Sequence, residues 1–184
     1  PIASNSGDVI VNADRILINS ASGIGALNGQ VMLRPVTPGR EIVLGSAGDA
    51  ASALELSSTE LSRIFSPNLT IGADNAGSIR VISDITSVPA NVTLRTGEDI
   101  SIGAGFTNAT SLTLRAGNNI YHTAGIISTG ALTALVDALG NDAGAGGFAW
   151  FNAVTAPTIT IDGGAGNDTL NGIDGREQTV HGNG

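Results

Sequence analysis

Apolar and polar residues alternate along this chain in short bursts separated by small and polar residues. In Val92-Thr93-Leu94-Arg95-Thr96-Gly97-Glu98-Asp99-Ile100, an alternating run is followed by a glycine, two polar residues and a new apolar start. The same frame returns twenty residues later as Leu112-Thr113-Leu114-Arg115-Ala116-Gly117-Asn118-Asn119-Ile120. A looser copy, Val31-Met32-Leu33-Arg34, lies upstream, with Gly39 and Ile42 after an insertion of three residues. A period of two marks a strand with one buried face. Each copy therefore predicts a strand, a glycine corner and a second strand. A unit this small cannot bury its own apolar face, so the copies must stack.

The rest of the chain extends the pattern. Strands are predicted at Val9-Ile10-Val11, Ile16-Leu17-Ile18, Ile42-Val43-Leu44, Leu54 to Leu56, Leu69 to Gly72, Ile79 to Ile82, Ile100 to Ile102, Ile120-Tyr121 and Thr158 to Ile161. Ser20 to Gly29 reads as a turn. Ser57-Ser58-Thr59-Glu60 has the form of a capping box, and Leu61, Ile64 and Phe65 have helical spacing before Pro67. About two turns of helix are expected over Ser58 to Phe65. The stretch 130–139 supports two readings, a helix over Gly130 to Leu139 or a strand over Leu132 to Val136. Short strands spaced near ten residues, without long helical crossovers, predict an all-β fold. The expected architecture is a β-solenoid of roughly seven to nine coils, each rising about 4.8 Å.

Composition sharpens this reading. Among 184 residues there are 26 Gly, aromatics make up 3%, and the hydrophobic share is 41%. A thin coil has room for one layer of medium aliphatic side chains, so it needs few large rings. The net charge is −8 and all eight basic residues are Arg. Without a basic stripe, nucleic acid is not an expected partner. No apolar run reaches the length of a transmembrane helix, so no membrane insertion is expected. The chain has no Cys, which removes disulfides and thiolate sites. It starts and stops in mid-repeat, so it reads as a piece of a longer protein.

The order Leu33-Arg34-Pro35, Pro38-Gly39-Arg40, Ile42-Val43-Leu44-Gly45, Leu56 to Arg63, Leu69-Thr70-Ile71-Gly72 and Ala76-Gly77-Ser78-Ile79-Arg80-Val81 resembles the β-strand repeats of large secreted bacterial exoproteins of the filamentous haemagglutinin type. The resemblance spans roughly residues 8 to 130. It implies a right-handed parallel β-helix within a secreted, cell-surface adhesin or fibre, and it implies no catalytic residue.

The tail resembles another family. Gly163-Gly164-Ala165-Gly166-Asn167-Asp168-Thr169-Leu170-Asn171 fits the nonapeptide G-G-x-G-x-D-x-U-x of Ca²⁺-binding RTX repeats. This resemblance implies Ca²⁺ held at Gly164, Gly166 and Asp168, with Asp174 from the next copy. That copy is degenerate, with Ile173 in place of a Gly and Glu177 in place of the Asp. A full site needs ligands from stacked turns, so one good repeat supplies half a site. The domain reading is a solenoid segment over 1–161 and a Gly/Asp-rich tail over 162–184 that continues it.

Candidate chemistry is sparse. Glu98 and Asp99 are adjacent acids, but their counterparts in the next copy are Asn118 and Asn119, so the position reads as a polar corner and not as a glycosidase pair. His122 and His181 lie 59 positions apart. They do not suggest a transition-metal site, and His122 beside Tyr121 is expected on the surface. Arg34, Arg95 and Arg115 recur at one repeat position and are expected to form a column, solvated or facing a partner. Phe148, Trp150 and Phe151 hold half of the chain's six aromatic residues. They read as a small satellite core or as a contact for glycans or a protein partner. The function expected from these observations is structural or adhesive, with self-association through coil ends. A glycan-binding module and a carbohydrate-active β-helix enzyme are the alternatives.

Overall fold

A computed structural model describes residues 1–48, 50–89, 91–125, 127–140, 147–171 and 178–183. Among these residues the protein is all-β apart from one helical turn. The first strands are β1 (Ile2–Ser4), β2 (Val9–Asn12), β3 (Ile24–Ala26), β4 (Gln30–Arg34), β5 (Glu41–Leu44) and β6 (Ala53–Leu56). The helix α1 (Ser58–Leu61) follows, then β7 (Ile64–Phe65), β8 (Asn68–Ala73), β9 (Ile79–Val81), β10 (Asn91–Thr96) and β11 (Ile100–Ile102). The chain continues through β12 (Phe106–Ala116), β13 (Ile120–His122), β14 (Ile127–Leu135), β15 (Phe148–Trp150) and β16 (Val154–Thr155). It closes with β17 (Thr158–Ala165), β18 (Thr169–Asn171) and β19 (Gln178–Asn183).

The strands form three parallel sheets. The longest runs β2-β4-β8-β10-β12-β14-β17-β19, with β16 pairing β14 off this path, and the second runs β6-β5-β9-β11-β13-β15-β18. A third sheet, β1-β3-β7, covers the low-numbered part. From β8 onwards, β16 apart, the chain adds one strand to the long sheet and the next to the second sheet in turn. The long sheet thus carries eight rungs on its main path.

Register explains why the alternating pattern folds this way. Val31, Leu69, Val92, Leu112, Leu132 and Ile159 are successive partners across the long sheet, and each is at most 1% exposed. Ile42, Ile79, Ile100 and Ile120 form the matching column in the second sheet. In a parallel sheet a slip of one residue would turn every one of these side chains to solvent, so the apolar columns fix the register. On the outer face Thr70, Thr93, Thr113, Thr133 and Thr160 stack in one ladder of half-buried threonines.

The corner after the long sheet is set by contact between rungs. A Cβ on Gly97 would meet Asp74 O at 2.2 Å, and one on Gly117 would meet Gly97 O at 2.2 Å. Only a residue without a side chain lets the rungs approach this closely. Thr96, fully buried, satisfies the same corner: its hydroxyl donates to Gly77 O at 2.6 Å and accepts from Glu98 N at 3.1 Å.

Three expectations change. Ile16-Leu17-Ile18 is not a strand: β6 folds back to the side of β5 away from β9 and occupies the pairing edge there. Ile16 and Ile18 are still buried, but the Ile18 N–H donates to Glu60 Oε1 at 3.0 Å. The helix is one turn long. Ser57 and Glu60 do form the capping box, but Ile64 and Phe65 pair with β3, and sheet pairing overrides their helical spacing. The turn expected over Ser20 to Gly29 contains β3. At 130–139 the strand reading holds, because β14 runs to Leu135 before the chain turns.

The glycine corner predicts a selective effect. Gly117→Ala should lower stability by about 1–3 kcal/mol, the range for overpacking, read from the urea midpoint. Gly103→Ala, whose Cβ would meet nothing nearer than 3.5 Å, should change it by less than about 0.5 kcal/mol. Equal losses at the two positions would contradict the contact account.

Candidate functional site

Of the side chains singled out by sequence, Glu98, Asp99 and Asp168 lie at the corner between the long and second sheets. Rung by rung this corner holds Gly97-Glu98-Asp99, Gly117-Asn118-Asn119, Asp137 with Gly147, and Gly163 to Thr169. Backbone bonds link these levels: Gly117 N to Thr96 O, Asp137 N to Asn118 O, and Thr169 N to Gly147 O, each 2.9 Å.

Glu98 and Asp99 are occupied in this stack. Asp99 Oδ1 accepts from both the backbone N and the side-chain Nδ2 of Asn119, each at 3.0 Å. Asn119 Oδ1 in turn accepts from Phe148 N at 3.0 Å, and Glu98 Oε2 accepts from Asn118 Nδ2 at 3.2 Å. Side chains thus continue the hydrogen-bond ladder around a bend. The acids act as acceptors between rungs, which is a positioning role.

The arginine column divides in two. Arg95 and Arg115 are paired in register and share one carboxylate, Asp74. Arg95 Nε lies 2.6 Å from Asp74 Oδ1, and Arg115 Nη2 donates to Ala138 O at 3.0 Å. The Arg95 hydrogen bond, aided by the Arg115 charge and opposed by burial, holds the Asp74 carboxyl below the usual carboxylate range. Gly72 stands opposite Arg95 on β8, so Arg34 is cut off from this group and donates instead to Asn12 Oδ1 at 3.0 Å.

The aromatic residues do not form one cluster. Phe148 and Trp150 lie on the outer face of β15 with nearly parallel rings, 6.4 Å between centroids. Tyr121 of β13 joins them, 5.4 Å from Phe148. Trp150 is 44% exposed, whereas Phe151 turns inward and is buried. Burial, together with the Asp99 charge, raises the Tyr121 phenol above its ordinary value.

His122 is fully buried, not on the surface. It is the register partner of Ile102 on β11, so it completes an apolar column. Its Nδ1 accepts from Asn152 N at 3.3 Å, its ring lies 6.4 Å from Phe151, and its Nε2 has no hydrogen-bond partner among the described residues. Burial pushes its pKa down, against a smaller upward pull from the Ala124 and Gly125 backbone. His181 lies on β19 opposite Asp162, far in the sequence from His122.

In the tail, Gly164 and Gly166 both have positive φ, 77° and 113°. Asp168 Oδ1 accepts from Gly147 N at 2.8 Å, and its Oδ2 is buried with no partner among the described residues. A Cβ on Gly163 would sit 2.2 Å from that Oδ2, so the glycine makes room for the carboxylate. Asp174 lies outside the described residues. Among those described, no three His, Cys, Asp or Glu side chains are grouped to hold a metal. The residue missed by sequence reasoning is Asp137, buried at 3% exposure in the corner position of Gly97 and Gly117. Its signal was the spacing, 97, 117, 137.

Together the sheets and this corner define a class: an all-β protein of stacked parallel strands. Compared with family models, curated proteins and solved structures, the chain matches none. Among the described residues no helix is long and apolar enough to cross a membrane.

The buried His122 predicts an acid sensitivity. Its folded pKa lies below the ordinary 6.5, so the unfolded chain takes up a proton that the folded chain refuses. Its contribution is intact above pH 6.5 and declines as pH falls from there through the folded pKa, by up to about 1.4 kcal/mol per pH unit. The depressed Asp74 acts in a separate window, below its ordinary 3.8. His122→Leu should flatten urea-measured stability between pH 6.5 and about 5. An unchanged slope in the variant would contradict the assignment.

Proposed function

We propose that this chain is a structural segment of a secreted bacterial adhesin or extracellular fibre, built as a right-handed parallel β-helix and extended by further coils. The observation that carries the reading is the shared register of the apolar columns from β4 to β17 in the long sheet. Interior apolar columns and outer threonine, asparagine and aspartate ladders are both organised by stacking along one direction. The chain spends its polar side chains on joining rungs. A scaffold requires this, whereas a catalytic groove keeps some of them for substrate.

Edge strands support the same reading. β2 and β19 bound the long sheet, and their outer backbone groups are templates for another strand. Near the low-numbered edge Ile2, Leu27 and Phe65 are 54%, 65% and 60% exposed and line one open groove. Apolar surface of this kind fits coverage by a further coil, from a longer chain or from a second copy. Concentrated protein should form unbranched filaments visible by electron microscopy, with a fibre reflection near 4.8 Å along the axis. A protein that stays monomeric and hydrolyses polysaccharide would overturn the proposal.

A second reading, glycan binding, is favoured by one feature. Tyr121, Phe148 and Trp150 offer adjoining rings on an outer face, and the faces of such rings stack on the apolar side of sugars. Trp150 is the only tryptophan, so its emission reports on this patch alone. Titration with a neutral polysaccharide should shift that emission, and Trp150→Ala should abolish retention in an affinity gel while leaving filaments intact. Unshifted emission and unchanged retention would remove this reading.

A further inference from the structure

Arg34 differs from the arginines around it. Arg95 and Arg115 close on Asp74, and Arg40 lies against Asp14. Arg34 pairs with no carboxylate among the described residues. Its one hydrogen bond there runs from Nε to Asn12 Oδ1 on the preceding rung. The remaining N–H donors of the guanidinium, on its outer end, have no acceptor from the protein.

Those donors belong to a notch in the outer face of the long sheet. Leu33 pairs with Ile71, so the position beside Arg34 on the next rung is Gly72, and Arg95 stands opposite Gly72 one rung further on. At that position no side chain fills the space between the two arginines. The notch encloses about 300 Å³ and is lined by Asn12, Arg34, Pro35, Val36, Ala73 and Asn75. Pro35 and Val36 give it an apolar side, and Val36 is 59% exposed. Asn12 and Asn75 are exposed and bring amide groups to it. Asn12 Oδ1 is taken by Arg34, which leaves its Nδ2 to donate.

The balance of charge agrees. The chain carries −8 overall, yet around this notch Arg34, Arg40, Arg95 and Arg115 stand against Asp14, Asp74 and Glu98. Each of the three acids is engaged. Asp14 accepts from Val36 N and Thr37 N at 2.9 Å, Asp74 holds two arginines, and Glu98 accepts from Asn118 on the following rung. The uncompensated group is the Arg34 guanidinium. Its planar fork of donors matches a carboxylate, which it can hold through two parallel hydrogen bonds.

We propose that the notch at Arg34 binds a carboxylate-bearing sugar, a hexuronate unit of an acidic polysaccharide. The guanidinium takes the carboxylate, the amides of Asn12 and Asn75 take ring hydroxyls, and Pro35 and Val36 cover the apolar face of the ring. An apolar wall with a few convergent polar groups and one charge is the usual make-up of a small-ligand site. This site is separate from the rings of Tyr121, Phe148 and Trp150, which lie on the second sheet. It rests neither on the glycan reading of those rings nor on the fibre reading.

The experiment is titration calorimetry of the whole chain with an alginate oligosaccharide and with the same oligosaccharide methyl-esterified. The free acid should bind, and the ester should bind at least about tenfold more weakly, the loss expected for a charge-assisted pair. Arg34→Gln should weaken binding of the acid by a similar factor and remove its advantage over the ester. Arg34→Lys, which keeps the charge and loses the fork, should fall between the two. Arg80→Gln, on the second sheet where Arg80 pairs with Glu41, should bind as the wild type does. Acetate at an equal concentration of carboxylate should not displace the oligosaccharide. No binding of the acid, equal binding of acid and ester, full binding by Arg34→Gln, or displacement by acetate would each overturn the proposal.

Discussion

The structure depends on how closely one rung can approach the next at the corner beyond the long sheet. Strands in a sheet lie about 4.8 Å apart, and around a bend that spacing leaves no room for a Cβ between one rung and the carbonyl beside it. Gly97 and Gly117 meet this constraint with distances of 2.2 Å to the neighbouring oxygen for the atom they lack. Once the corner is that tight, both sheets can pair continuously on either side of it. Register is then common to the interior columns and to the surface, and each rung is a template for the next.

Continuity also decides what polar side chains do. A bend interrupts the backbone ladder, and the orphaned groups need partners. Asp99, Asn119 and Thr96 supply them by reaching to the neighbouring rung. Asp74 does the same for charge, holding the stacked Arg95 and Arg115 that would otherwise repel each other. The outer surface is therefore part of the packing. Among the described residues, departures from this rule include the inward-facing His122, the exposed rings of Tyr121, Phe148 and Trp150, and the unmatched oxygens of Asp137 and Asp168.

Much of the fold was legible because a parallel stack repeats its constraint in sequence. The frame from Val92 to Ile100 predicts strand, corner and strand, and the structure places β10, Gly97 and β11 there. Local signals failed where a distant segment decided the outcome. Ile16 to Ile18 is a short β-rich run, but β6 holds the pairing edge; Ile64 and Phe65 have helical spacing, but β3 recruits them. His122 looks like a surface residue beside Tyr121, and only its register with Ile102 turns it inward. Asp137 was legible in principle, since Leu132-Thr133-Ala134-Leu135-Val136-Asp137 continues the twenty-residue frame. The charge at the glycine position disguised it. The unmatched oxygens are not legible at all, because they are a property of two rungs and not of either segment.

The central claim is in-register stacking of one rung per circuit, and distances along the threonine ladder test it most directly. The chain has no cysteine, so pairs of introduced cysteines can carry spin labels without background. Labels replacing Thr70 and Thr113, Thr70 and Thr133, or Thr70 and Thr160 span two, three and four rungs. Electron spin resonance should give narrow distributions whose means increase by about 4.8 Å per rung, reaching roughly 19 Å between backbone positions for the longest pair. Distances that do not rise in equal steps, or that scatter broadly, would contradict the stack.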